Sequence, residues 1–259
     1  MSHLHLFCLT LVFATFSGCA FFAQPPPGWS REIPFTARAV LDEAIEKHGA
    51  GKAAREANDL IASIAVTRHD GGAPVDLSHI LLWRRPNTWS VETRQPGQEP
   101  VKVIGTGSSG TEIRAGAVTR RDVPVTEVPV DRFLRHIFLL KFFREGAGEA
   151  AEIEGTVARE DGGHTLNIRK FDAMGRKWLL SLDAETFEPG SVREWIETAE
   201  GGFVALDTIV DGWMPDRFGH LVPRSMRSFA EGELVQEIEV RDLSWNRGLR
   251  DVDFAVPSR

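Results

Sequence analysis

The sequence predicts an α+β protein built around one curved antiparallel sheet of about ten or eleven short strands. From Leu60 onward most of the chain alternates apolar and polar residues with a period of two, which is the pattern of β-strands. Glycine-containing turns such as Asp70-Gly71-Gly72 separate the strands, and these connections are too short for crossover helices, so neighbouring strands are expected to be antiparallel. Because so many strands do not stay flat, the expected shape is an incomplete β-barrel.

The first residues predict an export signal and a lipid anchor. Residues Leu4 to Phe16 are apolar and carry no charge, and the stretch is shorter than the about 20 residues of a membrane-spanning helix. It leads into Ser17-Gly18-Cys19, which resembles the lipobox where bacterial lipoproteins are cleaved before a diacylated cysteine. We therefore predict a lipoprotein signal peptide at residues 1–18 and lipid attachment at Cys19, the alternative being a plain secreted protein.

The predicted cleavage defines the rest of the chain. Cys8, the only other cysteine, would be removed with the signal, which excludes a disulfide scaffold and cysteine catalysis. Residues 19–34 include three consecutive prolines and predict an anchor and extended tether, and residues 35–259 form the predicted domain. The net charge of −7 argues against nucleic acid as a partner.

An amphipathic helix is predicted to open the domain. Its apolar residues recur at spacings of three and four, at Val40, Leu41, Ala44 and Ile45. Gly49 and Gly51 interrupt the pattern, and the alanine-rich segment after them predicts another short helical turn before Leu60.

Four or five strands in meander order are predicted next, roughly between Leu60 and Thr119. The first shows the clearest alternation, with Leu60, Ala62, Ile64 and Val66 on one face. The others are expected at residues 79–84 and 88–94, around Val101 and Val103, and from Glu112 to Thr119.

The segment from Asp131 to Phe143 interrupts the strand pattern. Apolar residues follow helical spacing behind Asp131, a residue type that caps helix N-termini. The helix would be apolar on almost every side, so we expect it to be buried or to contact a ligand or a membrane. Strands resume after it, about six of them, with apolar positions at Ile153, Leu166/Ile168, Trp178/Leu180/Leu182, Val192/Ile196, Phe203/Ala205 and Ile238/Val240.

No motif of catalysis or metal binding stands out. Residues 105–110 satisfy the GxGxxG pattern, but no helical face follows, so these glycines predict a hairpin turn. The histidines lack the spacing of metal ligands; Glu43, Glu46 and His48 come closest, and a solvated helix end explains them better. We therefore predict no enzyme activity, no cofactor and no metal site.

The aromatic composition is unusual. The chain has seven tryptophans and sixteen phenylalanines but no tyrosine, so its rings are expected in dry surroundings. An ordinary core explains most of them. The alternative is that some line a hydrocarbon-binding cavity under the apolar helix, and the residues proposed for this role are Trp89, Val91, Val103, Phe138, Trp178 and Leu180.

Three segments carry a family signal: AIEKHGAGKAAREANDLIASIAV, LLWRRPNTWSVE, and the ending from LVPRS to DFAVP. They hold a His-Gly turn after the helix, an Arg-Pro turn in an early hairpin and, near the end, Asp211-Gly212, Pro223, Asn246 and Phe254-Ala255-Val256-Pro257. This order of motifs resembles the LolA/LolB-like lipoprotein carriers of bacteria, the family of outer membrane lipoprotein-sorting proteins.

The resemblance implies an incomplete β-barrel with helices packed on its concave side, around an apolar cavity that in characterised relatives receives acyl chains. It supplies no catalytic residues. The predicted anchor makes this chain more like the anchored members than like the soluble carrier. Because Ala20 follows Cys19, we expect the anchor in the outer membrane, with the domain facing the periplasm.

The leading functional hypothesis is an envelope lipoprotein that binds or transfers lipid or lipoprotein acyl chains. Its expected partners are a lipid ligand, the membrane through Cys19, and a periplasmic lipoprotein carrier. The alternative is a protein-binding sensor of envelope stress, because periplasmic regulators share the implied fold. A third possibility, an envelope hydrolase, would need an acid/base set, and the carboxylates considered for it are too dispersed in sequence, namely Glu194, Glu197, Asp207 and Asp211.

Overall fold

The structure is a computed structural model. It describes residues 35–48, 57–69, 71–85, 88–107, 109–114, 117–124, 137, 139–146, 148–197, 201–216 and 221–255. The predicted signal peptide, Cys19 and the tether lie outside the described residues, as do the helical turn after Gly51, Phe138 and the beginning of the helix predicted from Asp131.

The described residues form one antiparallel sheet of thirteen strands. The first six strands are β1 (Asp59–Arg68), β2 (Val75–Arg84), β3 (Thr88–Arg94), β4 (Val101–Thr106), β5 (Ser109–Arg114) and β6 (Ala117–Pro124). The others are β7 (Glu152–Ala158), β8 (His164–Phe171), β9 (Lys177–Asp183), β10 (Pro189–Glu197), β11 (Phe203–Pro215), β12 (Leu221–Ala230) and β13 (Glu233–Trp245). Their spatial order is β6-β5-β4-β3-β2-β1-β13-β12-β11-β10-β9-β8-β7, and within the described residues no pairing closes the sheet between β6 and β7.

The predicted antiparallel sheet is therefore confirmed, but it has thirteen strands where the sequence predicted ten or eleven. The segment from Glu112 to Thr119 belongs to two strands, because β5 ends at Arg114 and β6 begins at Ala117. The sequence prediction also missed β12, whose proline and arginines hide the alternation of Val222, Met226 and Ser228 on its buried face.

One face of the sheet, which we call the inner face, carries the two largest hydrophobic clusters. As predicted, β1 turns its alternating apolar residues inward, and Leu60, Ala62, Ile64 and Val66 are all buried. They belong to a central cluster whose other members come largely from β2, β3, β12 and β13, among them Leu77, Leu81, Trp89, Val91, Val222, Met226, Ile238, Val240, Leu243 and Trp245.

Two α-helices pack on the same face, α1 (Ala37–His48) and α2 (Leu139–Glu145). The predicted apolar face of α1 is confirmed, since Val40, Leu41, Ala44 and Ile45 are buried. The helices form a second, helix-side cluster with β8, β9 and β10, including Leu139, Leu140, Phe143, Leu166, Ile168, Trp178, Leu180, Leu182 and Val192. Val192 lies opposite Thr208, which shares a face with Val210 of the central cluster, so both clusters lie on the inner face.

The C-terminal segment is fastened to the start of β1. The buried Asp59 carboxylate accepts hydrogen bonds from the backbone N–H groups of Arg247 (2.6 Å), Gly248 (2.9 Å) and Leu249 (3.1 Å). Asn246 precedes them with a φ of 52°, and its side chain accepts a 2.7 Å hydrogen bond from Asn58 N–H. Asparagine tolerates this left-handed backbone better than most residues, which explains its place in the C-terminal motif.

We expect Asp59→Ala to lower the free energy of unfolding by about 2–4 kcal/mol, because three N–H groups lose their acceptor. Urea denaturation measures the loss. Asp59→Asn keeps one acceptor oxygen and should lose less. Asp76→Ala is the control, because that exposed carboxylate accepts a single side-chain hydrogen bond, 2.8 Å from Thr67. Equal losses for Asp59→Ala and Asp76→Ala would contradict the structural role of Asp59.

His79 should make stability depend on pH. It is fully buried on β2, with Nδ1 2.9 Å from Thr93 Oγ1, and burial together with the charge of Arg68 lowers its pKa from 6.5 to about 4. Between these values the unfolded chain binds a proton that the folded chain does not. The free energy of unfolding therefore decreases as the pH is lowered from 6.5 to about 4, by about 3 kcal/mol in total.

Urea denaturation between pH 7 and 4.5 checks this prediction. His79→Gln should flatten the part of the pH dependence that lies below pH 6.5. His69→Gln changes a partly exposed histidine that lies 3.1 Å from Glu237, and it should leave that part in place. An unchanged pH dependence in His79→Gln would show that His79 does not cause it.

Candidate ligand site

A small apolar pocket lies between the helices and the inner face. His48, the last residue of α1, borders it, together with Leu139 and Leu140 of α2. Its volume is about 10 Å³, close to the space that one water molecule needs. The remaining lining residues are Ile137, Pro189, Val210, Trp213, Val222, Pro223 and Trp245.

A bulge in β11 shapes one wall of the pocket. The pairing of β11 with β12 shifts register on both sides of Gly212, so that Trp213 lies opposite Pro223. Bulges redirect side chains, and proline, which lacks an N–H donor, is tolerated where strand pairing is irregular. The Asp211-Gly212 and Pro223 motifs noted in the sequence therefore mark this wall.

Two polar atoms stand out on side chains that line the pocket, one on His48 and one on Trp213. His48 Nε2 lies 3.0 Å from the Thr186 carbonyl oxygen, which can only accept, so Nε2 donates and Nδ1 of the neutral ring is left as an acceptor. Trp213 Nε1 is a donor. Both His48 Nδ1 and Trp213 Nε1 are buried, and neither has a hydrogen-bond partner in the part of the chain that the structure describes. The two rings lie 6.4 Å apart, centroid to centroid.

His48 corrects an interpretation of the sequence. Its surroundings had indicated a solvated helix end, which fits the exposed Glu46, but His48 is only 7% exposed. The apolar spacing of α1 in fact continues through Ile45 to His48. The end of the helix packs on the turn after β9, where Lys47 Nζ lies 3.4 Å from the Glu185 carbonyl oxygen.

Three of the residues predicted to contact ligand belong to the central cluster. Trp89 and Val91 are buried there, and Val103 packs against them. Trp89 donates a 3.0 Å hydrogen bond to the Gly107 carbonyl and covers Gly105 and Gly110, where an added Cβ would lie 2.2 Å and 2.5 Å from its ring. The GxGxxG glycines thus form the predicted β4–β5 hairpin, and they make room for a core tryptophan.

Trp178 and Leu180 lie in the helix-side cluster. The Phe142 ring of α2 covers Trp178 at a centroid distance of 5.1 Å, so the protein's own helix occupies this surface. Of the six predicted ligand residues, the five that the structure describes do not line the pocket, and their ligand role stays a prediction.

Of the carboxylates considered for hydrolysis, the three whose side chains the structure describes do not converge, and the Glu197 side chain lies outside the described residues. Asp207 and Asp211 each form a two-pronged ion pair, with Arg193 and Arg227 respectively, while Glu194 is buried on the inner face. No group of three or more His, Cys, Asp or Glu side chains among the described residues is arranged to hold a metal ion. None of the described helices is long and apolar enough to span a membrane.

A larger open groove of about 730 Å³ differs in chemistry from the apolar pocket. It is lined by β1, β2, β11, β12 and β13, and its lining includes charged side chains at Asp76, Asp211, Arg224, Arg227, Glu237, Glu239 and Arg241. Hydrocarbon gains little there, because the charges would lose water without gaining partners. The apolar pocket is therefore the better candidate for an apolar ligand.

Comparison with solved structures identifies the fold. A LolA superfamily protein from Nitrosomonas europaea superposes with a TM-score of 0.61 at 12% identity, over 85% of this chain and 97% of that one. A domain named for outer membrane lipoprotein sorting, from Vibrio parahaemolyticus, gives a TM-score of 0.52 at 13% identity, over 84% and 97%. This chain has a LolA-like fold. The fold expected from the sequence resemblance is thereby confirmed.

At 12–13% identity the likeness extends to the fold alone. No protein-family model matches the sequence, and a search of curated proteins finds no match either. The pocket lies where the two helices meet the inner face of this sheet.

Proposed function

We propose that this protein is a lipid-anchored lipoprotein of the bacterial cell envelope that binds acyl chains in the apolar pocket. The observation that carries the proposal is the pocket lining, whose side chains are apolar apart from the ring nitrogens of His48, Trp213 and Trp245. Each CH₂ group moved from water into such a pocket contributes about 0.8 kcal/mol, so the hydrocarbon alone provides affinity and no covalent step is needed. The shared fold supports this, because one solved relative is named for lipoprotein sorting.

The pocket has to open for an acyl chain, because its volume of about 10 Å³ suits one water molecule. We propose that α2 moves and withdraws Leu139 and Leu140. A helix of seven residues is not stable alone and depends on its tertiary contacts. These include the Arg144–Asp42 ion pair to α1, at 2.5 Å. In the incomplete barrel expected from the sequence, both helices would shield the bound chain on the concave side.

Binding of a fluorescent long-chain fatty acid tests the pocket. The protein is the mature chain with Cys19→Ser, which avoids heterogeneous lipidation. Val222→Asp places a carboxylate beside the hydrocarbon and should weaken binding at least tenfold, or about 1.4 kcal/mol. Val157→Asp is the control, because Val157 is 54% exposed on β7. Equal binding by both variants, each confirmed as folded by circular dichroism, would place the acyl chain elsewhere.

The same titration with Asp42→Asn tests the opening of the pocket. It does not depend on Val222→Asp, and it therefore still tests the proposal if that variant does not fold. Removing the ion pair should speed probe association by up to about fivefold, since such pairs contribute about 0.2–1 kcal/mol. Glu152→Gln, which removes an ion pair to Arg169 on the sheet edge, should leave the rate unchanged. Faster association is an effect that general destabilisation does not predict.

The proposed anchor has its own test. We propose that the protein is held at Cys19 in the outer membrane, with its domain in the periplasm, where a periplasmic lipoprotein carrier would be a natural partner. Full-length protein should sediment with membranes, and Cys19→Ser should move it to the soluble fraction, because a stable anchor requires the acyl chains. Cys8→Ser, in the predicted signal peptide, is the matched control. Continued membrane association of Cys19→Ser would contradict the anchor.

A further inference from the structure

Two buried ring nitrogens, on His48 and Trp213, carry an inference about the ligand. About nine in ten buried polar groups in proteins have a hydrogen-bond partner, so each buried polar atom without one calls for a physical explanation. His48 Nδ1 and Trp213 Nε1 have none among the described residues, and both side chains line the pocket. A ligand that enters the pocket can supply both partners.

The hydrogen-bonding character of the pair is fixed by its surroundings. His48 Nε2 donates to the Thr186 carbonyl oxygen at 3.0 Å, which leaves Nδ1 of the neutral ring to accept. Asp183 holds that turn by accepting hydrogen bonds from the N–H groups of Glu185 (2.9 Å) and Thr186 (2.7 Å). Trp213 Nε1 can only donate. One acceptor and one donor therefore belong to rings whose centroids lie 6.4 Å apart.

The pair is also preorganised. Lys47 lies 4.5 Å above the Phe187 ring and so fixes the end of α1 on the same turn. The β11 bulge positions Trp213 opposite Pro223. Groups held in place before binding lose little conformational entropy when a ligand arrives.

We propose that His48 and Trp213 recognise the uncharged polar end of an acyl-chain ligand, a group that both donates and accepts a hydrogen bond, as a hydroxyl or a protonated carboxyl does. The inference rests on the proposed function and adds the class of the polar end. Such an end donates to His48 Nδ1 and accepts from Trp213 Nε1. An ester only accepts and leaves His48 Nδ1 without a donor. A phosphate would meet no Lys or Arg in the described pocket lining.

The experiment compares ligands of one chain length on the mature Cys19→Ser chain. Each ligand displaces a bound fluorescent long-chain fatty acid, and the series is 1-hexadecanol, hexadecanoic acid, methyl hexadecanoate and hexadecyl phosphate. We expect hexadecanol to bind about tenfold more tightly than the methyl ester and the phosphate. Hexadecanoic acid should weaken as pH rises through the pKa of its carboxyl group, whereas hexadecanol should not, which separates the acid from the alcohol as the source of the neutral end.

Variants assign the preference to the pair. Trp213→Phe keeps an aromatic ring but removes the donor, and His48→Phe removes the acceptor, so each should reduce the advantage of hexadecanol over the ester to less than about threefold. Trp195→Phe is the matched control, because Trp195 contacts Lys177 and Arg193 and does not line the pocket. Trp195→Phe should bind hexadecanol about tenfold more tightly than the methyl ester, as the unmodified pocket does.

Three results overturn the inference. If hexadecanol and its methyl ester bind equally to the unmodified pocket, the pair does not recognise the ligand and bridges a water molecule only; this comparison needs no pocket variant to fold. If Trp213→Phe keeps the preference, another group causes it. If no member of the series displaces the probe, the proposed function fails as well, which distinguishes that failure from a failure of the inference alone.

Discussion

The structure depends on covering one face of a thirteen-stranded sheet. An apolar sheet face must be removed from water, and for most domains a second layer of similar extent does this. Here the described helices are short and pack over β8, β9 and β10, while the core residues of β1, β2, β3, β12 and β13 form a separate cluster. The pocket is bordered by residues of both clusters, and α1 ends there, at His48.

Polar groups on the inner face show why the pocket is distinctive. Thr208 and Ser228 are buried and satisfy each other across β11 and β12 at 3.0 Å. Lys170 is buried with its Nζ 3.0 Å from the Glu149 carbonyl oxygen. His79 Nε2 has no hydrogen-bond partner among the described residues, and His79 borders neither the pocket nor the groove. The missing hydrogen bond there lowers the stability of the fold and has no connection to a ligand. At His48 and Trp213 the same cost can be relieved by a ligand.

The sequence was informative where one face of an element is buried throughout. The periodicities of α1 and β1 predicted their buried residues correctly, since burial enforces the pattern. β12 was missed because Pro223 and the arginines interrupt its pattern. The aromatic residues show a further limit of the sequence. An inward-facing position such as Trp89 has the same alternating pattern whether it lies in a packed core or at a cavity wall. The pocket brings together His48 of α1, Leu140 of α2, and Trp213 and Val222 of the neighbouring strands β11 and β12. In the sequence, only the short His-Gly, Asp-Gly and Pro223 motifs lie at or beside it.

The pocket lies at the C-terminal end of α1, whereas the proposed tether joins the domain before Ala37. A helix of 12 residues spans about 18 Å, so the pocket is displaced from the attachment point by roughly that length. The tether predicted from the sequence over residues 19–34 would reach about 50 Å at the about 3.1 Å per residue of a proline-rich extended chain. That reach exceeds the length of α1, so in the proposed anchored protein the domain could turn its pocket either to its own membrane or to a partner in the periplasm. Under this proposal, exchange of an acyl chain between the two would require rotation of the domain on its tether and no release of the anchor.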